Sequence, residues 1–66
     1  MKQVKLRMSV DHADRFATEC VQQGYRVIIS FATENWMNWE LTTILAIPDD
    51  KADTFKSSEW AKFVKQ

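Results

Sequence analysis

The chain has 66 residues, 45% of them hydrophobic and 27% charged, with a formal net charge of 0. A chain this short buries only about 60% of the surface it exposes when unfolded, which leaves room for one modest core and a single domain over residues 1–66. The composition is too apolar for a disordered chain and too interrupted by charge for a membrane span, and zero net charge supplies no global field toward nucleic acid or an anionic membrane.

Cys20 is the only cysteine and cannot form an internal disulfide, and residues 1–5 lack the apolar stretch of a secretory signal. Together these features predict a reducing, cytoplasmic setting. Domains of this size gain stability from disulfides, a metal, a partner subunit or unusually good packing, and the first two find little support here. Self-association therefore moves forward.

Val4, Leu6, Met8 and Val10 alternate with Gln3, Lys5, Arg7 and Ser9, the period of two expected of a half-buried strand. Asp11 then stands where an N-cap belongs, Asp14 falls near the positive end of a helix dipole, and Ala13, Phe16, Ala17, Cys20 and Val21 recur at helical offsets. Gly24, the only glycine, is placed to close that amphipathic helix in the left-handed conformation. A second strand follows at once, with Tyr25, Val27, Ile29 and Phe31 on one side and Arg26, Ile28, Ser30 and Ala32 on the other.

Thr33, Glu34 and Asn35 read as a polar turn into a third strand over 36–47. There Met37, Trp39, Leu41, Leu45 and Ile47 make the more apolar face, and Asn38, Glu40 and Thr42 the more polar one. Pro48 stops the strand because it offers no N–H to a ladder. Asp49, Asp50 and Asp53 supply a cap and an acidic first turn to another helix, whose short apolar stripe is Ala52 and Phe55. Ser57 and Ser58 interrupt it before Trp60, Phe63 and Val64 recur at helical spacing, which predicts a helix in two parts.

The order is therefore β-α-β-β-α, an α+β fold. Strands one and two are either parallel neighbours or separated by strand three, as in an incomplete ferredoxin-like layout, and the apolar character of strand three on both sides suits the middle position. A three-stranded sheet with helices on one face is predicted, the covered face bearing Val4, Leu6, Val27, Ile29, Leu41 and Leu45. The open face then shows Lys5, Arg7, Arg26, Ile28, Ser30, Trp36, Glu40, Thr42 and Ile44. A complete ferredoxin-like fold adds a fourth strand beside strand one; with none expected, strand one is a bare edge able to pair with another chain.

Ala52, Phe55, Ser57, Trp60 and Phe63, following a third strand, resemble the second helix of dimeric α+β-barrel proteins, the monooxygenase-like family. The resemblance covers under half the chain and implies dimerisation through the sheet. The expected lack of a fourth strand departs from that family, and no catalytic residue carries across.

His12, Asp11, Asp14 and Cys20 suggest a metal cluster or a Cys-His pair on residue type, but Cys20 shares the apolar stripe while His12 stands at the start of the helix. The acids at 49, 50 and 53 lack the spacing and glycine of a calcium loop and are explained as caps. No phosphate-binding glycine loop or nucleophile elbow occurs. No enzyme, no metal and no cofactor are predicted.

Trp39 and Trp60 fall on core-facing stripes, whereas Trp36 begins the third strand on its less buried side, where an exposed aromatic suits an interface anchor. The function expected is that of a non-catalytic protein-binding module, a small homodimeric regulator or inhibitor of the accessory kind that phages encode, occupying the surface of a larger protein. Its partner-binding residues would be Lys5, Arg7, Arg26, Ile28, Trp36, Glu40 and Ile44. The alternative is single-stranded nucleic-acid binding on the open face, where Lys5, Arg7 and Arg26 accompany Trp36. Against it, Glu40, Thr42 and Ile44 stand where such sheets need aromatic residues.

Overall fold

The computed structural model describes residues 1–65 and shows an α+β fold. Strand β1 is Lys2–Ser9, helix α1 Ala13–Gln23, β2 Arg26–Glu34, β3 Trp39–Ile47, helix α2 Ala52–Lys56 and β4 Val64–Lys65. Short 3-10 turns occupy Val10–His12, Asp49–Lys51 and Glu59–Phe63.

The sheet runs β2-β3-β1-β4, and every pairing in it is antiparallel. β3 lies between β1 and β2, the position its two-sided apolar character predicts, and Thr42, Thr43, Leu45, Ala46 and Ile47 are all buried there. Since β1 and β2 are both antiparallel to β3, they run in the same direction on either side of it.

The expected three-stranded sheet is corrected to four strands. Val64 and Lys65 leave the last 3-10 turn in extended conformation and pair with Leu6 and Lys5. Val64 lies four residues after Trp60, so helical spacing accounts for it as well as strand pairing does; burial against Leu6 decides. β1 is accordingly not a bare edge along its whole length, and the uninterrupted free edge belongs to β2.

Cross-strand partners share a face. Val4, Leu6 and Met8 oppose Leu45, Thr43 and Leu41 on the covered side, while Lys5 and Arg7 oppose Ile44 and Thr42 on the other. The core gathers Leu6, Met8, Leu45 and Ile47 from the sheet, Phe16 and Cys20 from α1, Tyr25 from the turn after it, and Phe55 and Trp60 from the C-terminal segment. Edge-to-face packing joins Phe16 to Trp60 at 5.1 Å and Tyr25 to Phe55 at 5.7 Å between ring centroids.

Ser9, and not Asp11, caps the chain as it leaves β1, its hydroxyl accepting the Asp11 N–H at 3.3 Å. Gly24 closes α1 at φ 73°, a left-handed conformation that costs an L side chain about 1 kcal/mol or more. The predicted stripe of α1 narrows to Phe16 and Cys20, and Val21 is 82% exposed. The C-terminal helix does divide at Ser57–Ser58, but its second part is 3-10.

Candidate protein-interaction surface

No β2 residue enters the core cluster, because the helices lie over β1 and β3. All nine residues of β2 are exposed, and Val27, Ile28, Ile29 and Phe31 each stand between 45% and 53% exposed. The chain has a Cα radius of gyration of 11.5 Å, against about 10.8 Å for a compact domain of this length, and its long axis reaches 38 Å. β2 and the hairpin tip thus stand clear of the core, and β2 has two faces and one edge uncovered.

A bulge places these side chains. Val27 opposes Leu45 and Ile29 opposes Ile44, leaving Ile28 as the extra residue. One inserted residue turns every later side chain over, so Ile29 and Phe31 lie on the open face and Ser30 and Ala32 on the covered face. The expected assignment was the reverse. The bulge is pinned by Thr43, whose buried hydroxyl donates to the Ile29 carbonyl at 3.0 Å.

The hairpin turns through Asn35, Trp36, Met37 and Asn38, so Trp36 belongs to the turn and not to the third strand. Asn35 Oδ1 accepts from the Met37 and Asn38 N–H groups at 2.8 and 2.9 Å, and the Asn35 N–H donates to the Asn38 carbonyl at 2.9 Å. This ring of bonds fixes the turn with no help from the indole, and Trp36 is 90% exposed. Trp39 points to the covered side of the sheet but lies beyond the helices and is 49% exposed, so it does not join the core as expected.

The predicted partner-binding residues fall into two groups. Lys5, Arg7, Arg26, Glu40 and Ile44 sit on the open face by register, with Arg7 Nε 3.3 Å from Glu40 Oε1. Ile28 occupies the bulge and Trp36 the hairpin tip. Phe31 and Ile29 share that open face and were missed, since only the bulge brings them there; an uninterrupted Val-Ile-Ile run carries no mark of an inserted residue.

Elsewhere the polar groups serve packing. His12 is half-buried, its ring 5.3 Å from that of Phe63 and 6.4 Å from that of Trp60. Arg15 lies over Trp60 at 5.4 Å, reaches His12 Nδ1 at 3.3 Å and pairs with Glu59 at 3.1 Å, tying α1 to the C-terminal segment. Burial, with a smaller contribution from the Glu19 charge, pushes the Cys20 thiol up to about 11. Tyr25 is raised for the same two reasons, and Cys20 adds to it. Its hydroxyl is buried without a hydrogen-bond partner among the described residues.

Among the described residues, no three His, Cys, Asp or Glu side chains come together as a metal-holding group, and no helix is long and apolar enough to cross a membrane. Fold and surface together define a small α+β domain with an antiparallel sheet, one margin of which is apolar and bare. No family model matches the chain, and neither a curated protein nor a solved structure matches it. The likeness of residues 52–63 to the dimeric α+β-barrel family is joined by no such match.

Proposed function

We propose that this chain is a non-catalytic protein-binding module, a homodimeric regulator or inhibitor that works by occupying the surface of a larger protein from a cytoplasmic pool. The layout is read as ferredoxin-like with a short fourth strand. One observation carries the reading: β2 and the hairpin tip expose apolar side chains on both faces, Ile29 and Phe31 on the open face, Val27 and Trp39 on the other, with Ile28 in the bulge and Trp36 and Met37 at the tip, and none is used by the core. Concentrated apolar exposure on a small domain marks a contact surface, and aromatic anchors ringed by polar groups are where binding energy concentrates. Lys5, Arg7, Arg26, Glu40 and Ile44 on the adjoining face set charge preference and orientation.

The test is affinity capture with the immobilised chain from extract of the cells that carry it, in parallel with a Trp36→Ala, Phe31→Ala double variant. A macromolecule retained by the first and released by the second supports the proposal. Equal retention by both, or none by either, defeats it. A second reading, single-stranded nucleic-acid binding, draws on Phe31 sharing the open face with Arg26 and Lys5. The Arg7–Glu40 pair weighs against it by neutralising one of the three cations. Salt-sensitive micromolar binding of labelled single strands in fluorescence anisotropy would put that reading first.

A further inference from the structure

We infer that the occupant of the β2 edge is a second copy of this chain, paired antiparallel with the first across a two-fold axis at Ser30. The inference rests on reading the chain as a self-associating module and names the contact. Natural edge strands are kept from pairing by lysine, proline or shortness. β2 has neither lysine nor proline and is not short, and the bulge at Ile28 is its one interruption: it runs nine residues as Arg-Val-Ile-Ile-Ser-Phe-Ala-Thr-Glu with apolar side chains on both faces.

The sequence of the edge is complementary to itself when reversed. Cross-strand partners must share a face, and the bulge removes Ile28 from the count, so the positions run Arg26, Val27, Ile29, Ser30, Phe31, Ala32, Thr33, Glu34. With Ser30 on the axis, Ile29 of one copy opposes Phe31 of the other on the open face, twice, and Val27 opposes Ala32 on the covered face. Arg26 opposes Thr33, with Glu40 the next residue beyond Thr33 on the same face. The basic end of each strand therefore meets the acidic end of its mate. Parallel pairing in the same alignment would set like charge on like. The axis also carries each hairpin tip past the start of the partner's β2, toward the Gly24 corner where α1 ends and Val21 stands exposed. A contact of this kind is isologous, closes after two copies and yields one continuous eight-stranded sheet.

Cross-linking and light scattering test the inference. Residues facing each other across a two-fold in an antiparallel pair have Cα atoms about 4.5–5.5 Å apart, within disulfide range. Ser30→Cys is expected to yield a covalent dimer under mild oxidation within minutes, while Val21→Cys, at a position also exposed to solvent, yields at least tenfold less at the same concentration. Light scattering on the unmodified chain should give twice its 7.8 kDa mass. Ser30→Lys sets two like charges opposite each other and should weaken the dimer about fivefold while circular dichroism stays unchanged. A monomer at 100 µM (about the upper end of the micromolar range where such contacts form) overturns self-association. A dimer in which Ser30→Cys cross-links no faster than Val21→Cys overturns the β2 contact alone and leaves the module reading to the capture experiment.

Discussion

Trp36→Ala separates an anchor from a structural residue. A tryptophan side chain exposes about 250 Å² when free, and at 90% exposure only about 25 Å² of it is covered in the single chain, worth about 0.6 kcal/mol at about 25 cal/mol per Å². For a domain of this size, that lowers the melting temperature by about 2–5 °C. The turn itself is held by Asn35, whose side chain and backbone make three hydrogen bonds that truncating the indole leaves in place. The covering of the other ~225 Å² sets a ceiling of about 5.6 kcal/mol on what a partner gains, of which an aromatic anchor typically realises about 2–4 kcal/mol, or ~30-fold and more in affinity. Thermal melting by circular dichroism, together with sedimentation or surface binding of the partner, reads both quantities from the same preparation. A melting temperature lowered by 10 °C with association unchanged would refute the reasoning and assign the ring to the fold.

Trp60→Ala acts oppositely: this ring is buried against Phe16 and Phe63 and under Arg15, so its loss costs about 3–5 kcal/mol, close to the whole stability of a small domain, and far-ultraviolet dichroism should show a largely unfolded chain at 37 °C. Tyr25→Phe removes a buried hydroxyl that has no partner among the described residues and keeps the ring against Phe55, so urea unfolding should show stability unchanged or raised by up to ~1 kcal/mol. Burial, with the Glu19 charge, raises the Cys20 thiol from 9.0 to about 11, so the contribution of the neutral thiol to stability is intact below pH 9 and is lost as pH rises toward 11. Cys20→Ala should therefore flatten the fall in urea midpoint between pH 8 and pH 10.5; an equal fall in both proteins would show that the thiol does not drive it.

Period and punctuation made much of the fold legible. The alternation of residues 3–9, the left-handed stop at Gly24 and the ladder-breaking Pro48 each act on the backbone of their own segment, so a local reading suffices for them. The central place of β3 was legible because a strand flanked by neighbours on both edges is shielded enough to carry apolar residues on both faces, and Ala46 is buried even on the open one. What failed depended on neighbours. Ile28 looks like its flanking residues, and only the pairing with β3 reveals it as the inserted one. Val21 and Trp39 have the right periodicity for burial, yet only Phe16 and Cys20 of α1 are buried and Trp39 lies beyond the helices, so both stay exposed. Of the predicted contact residues, the register was readable for Lys5, Arg7, Glu40 and Ile44, which lie outside the bulged strand. Phe31 was hidden by it.

The order of the sheet also dictates when each part of the chain finds its partner. β1 emerges first in synthesis, but its ladder partners are β3 and β4, with Lys2 meeting Ile47 and Leu6 meeting Val64. The hairpin of β2 and β3 closes through a four-residue turn on the microsecond scale, whereas bringing β1 alongside must first close a loop that takes in α1 and the whole hairpin. A ribosome-bound fragment stopping short of residue 39 holds β1, α1 and β2, two strands that pair with β3 and not with each other, and this domain folds only after most of it has been made.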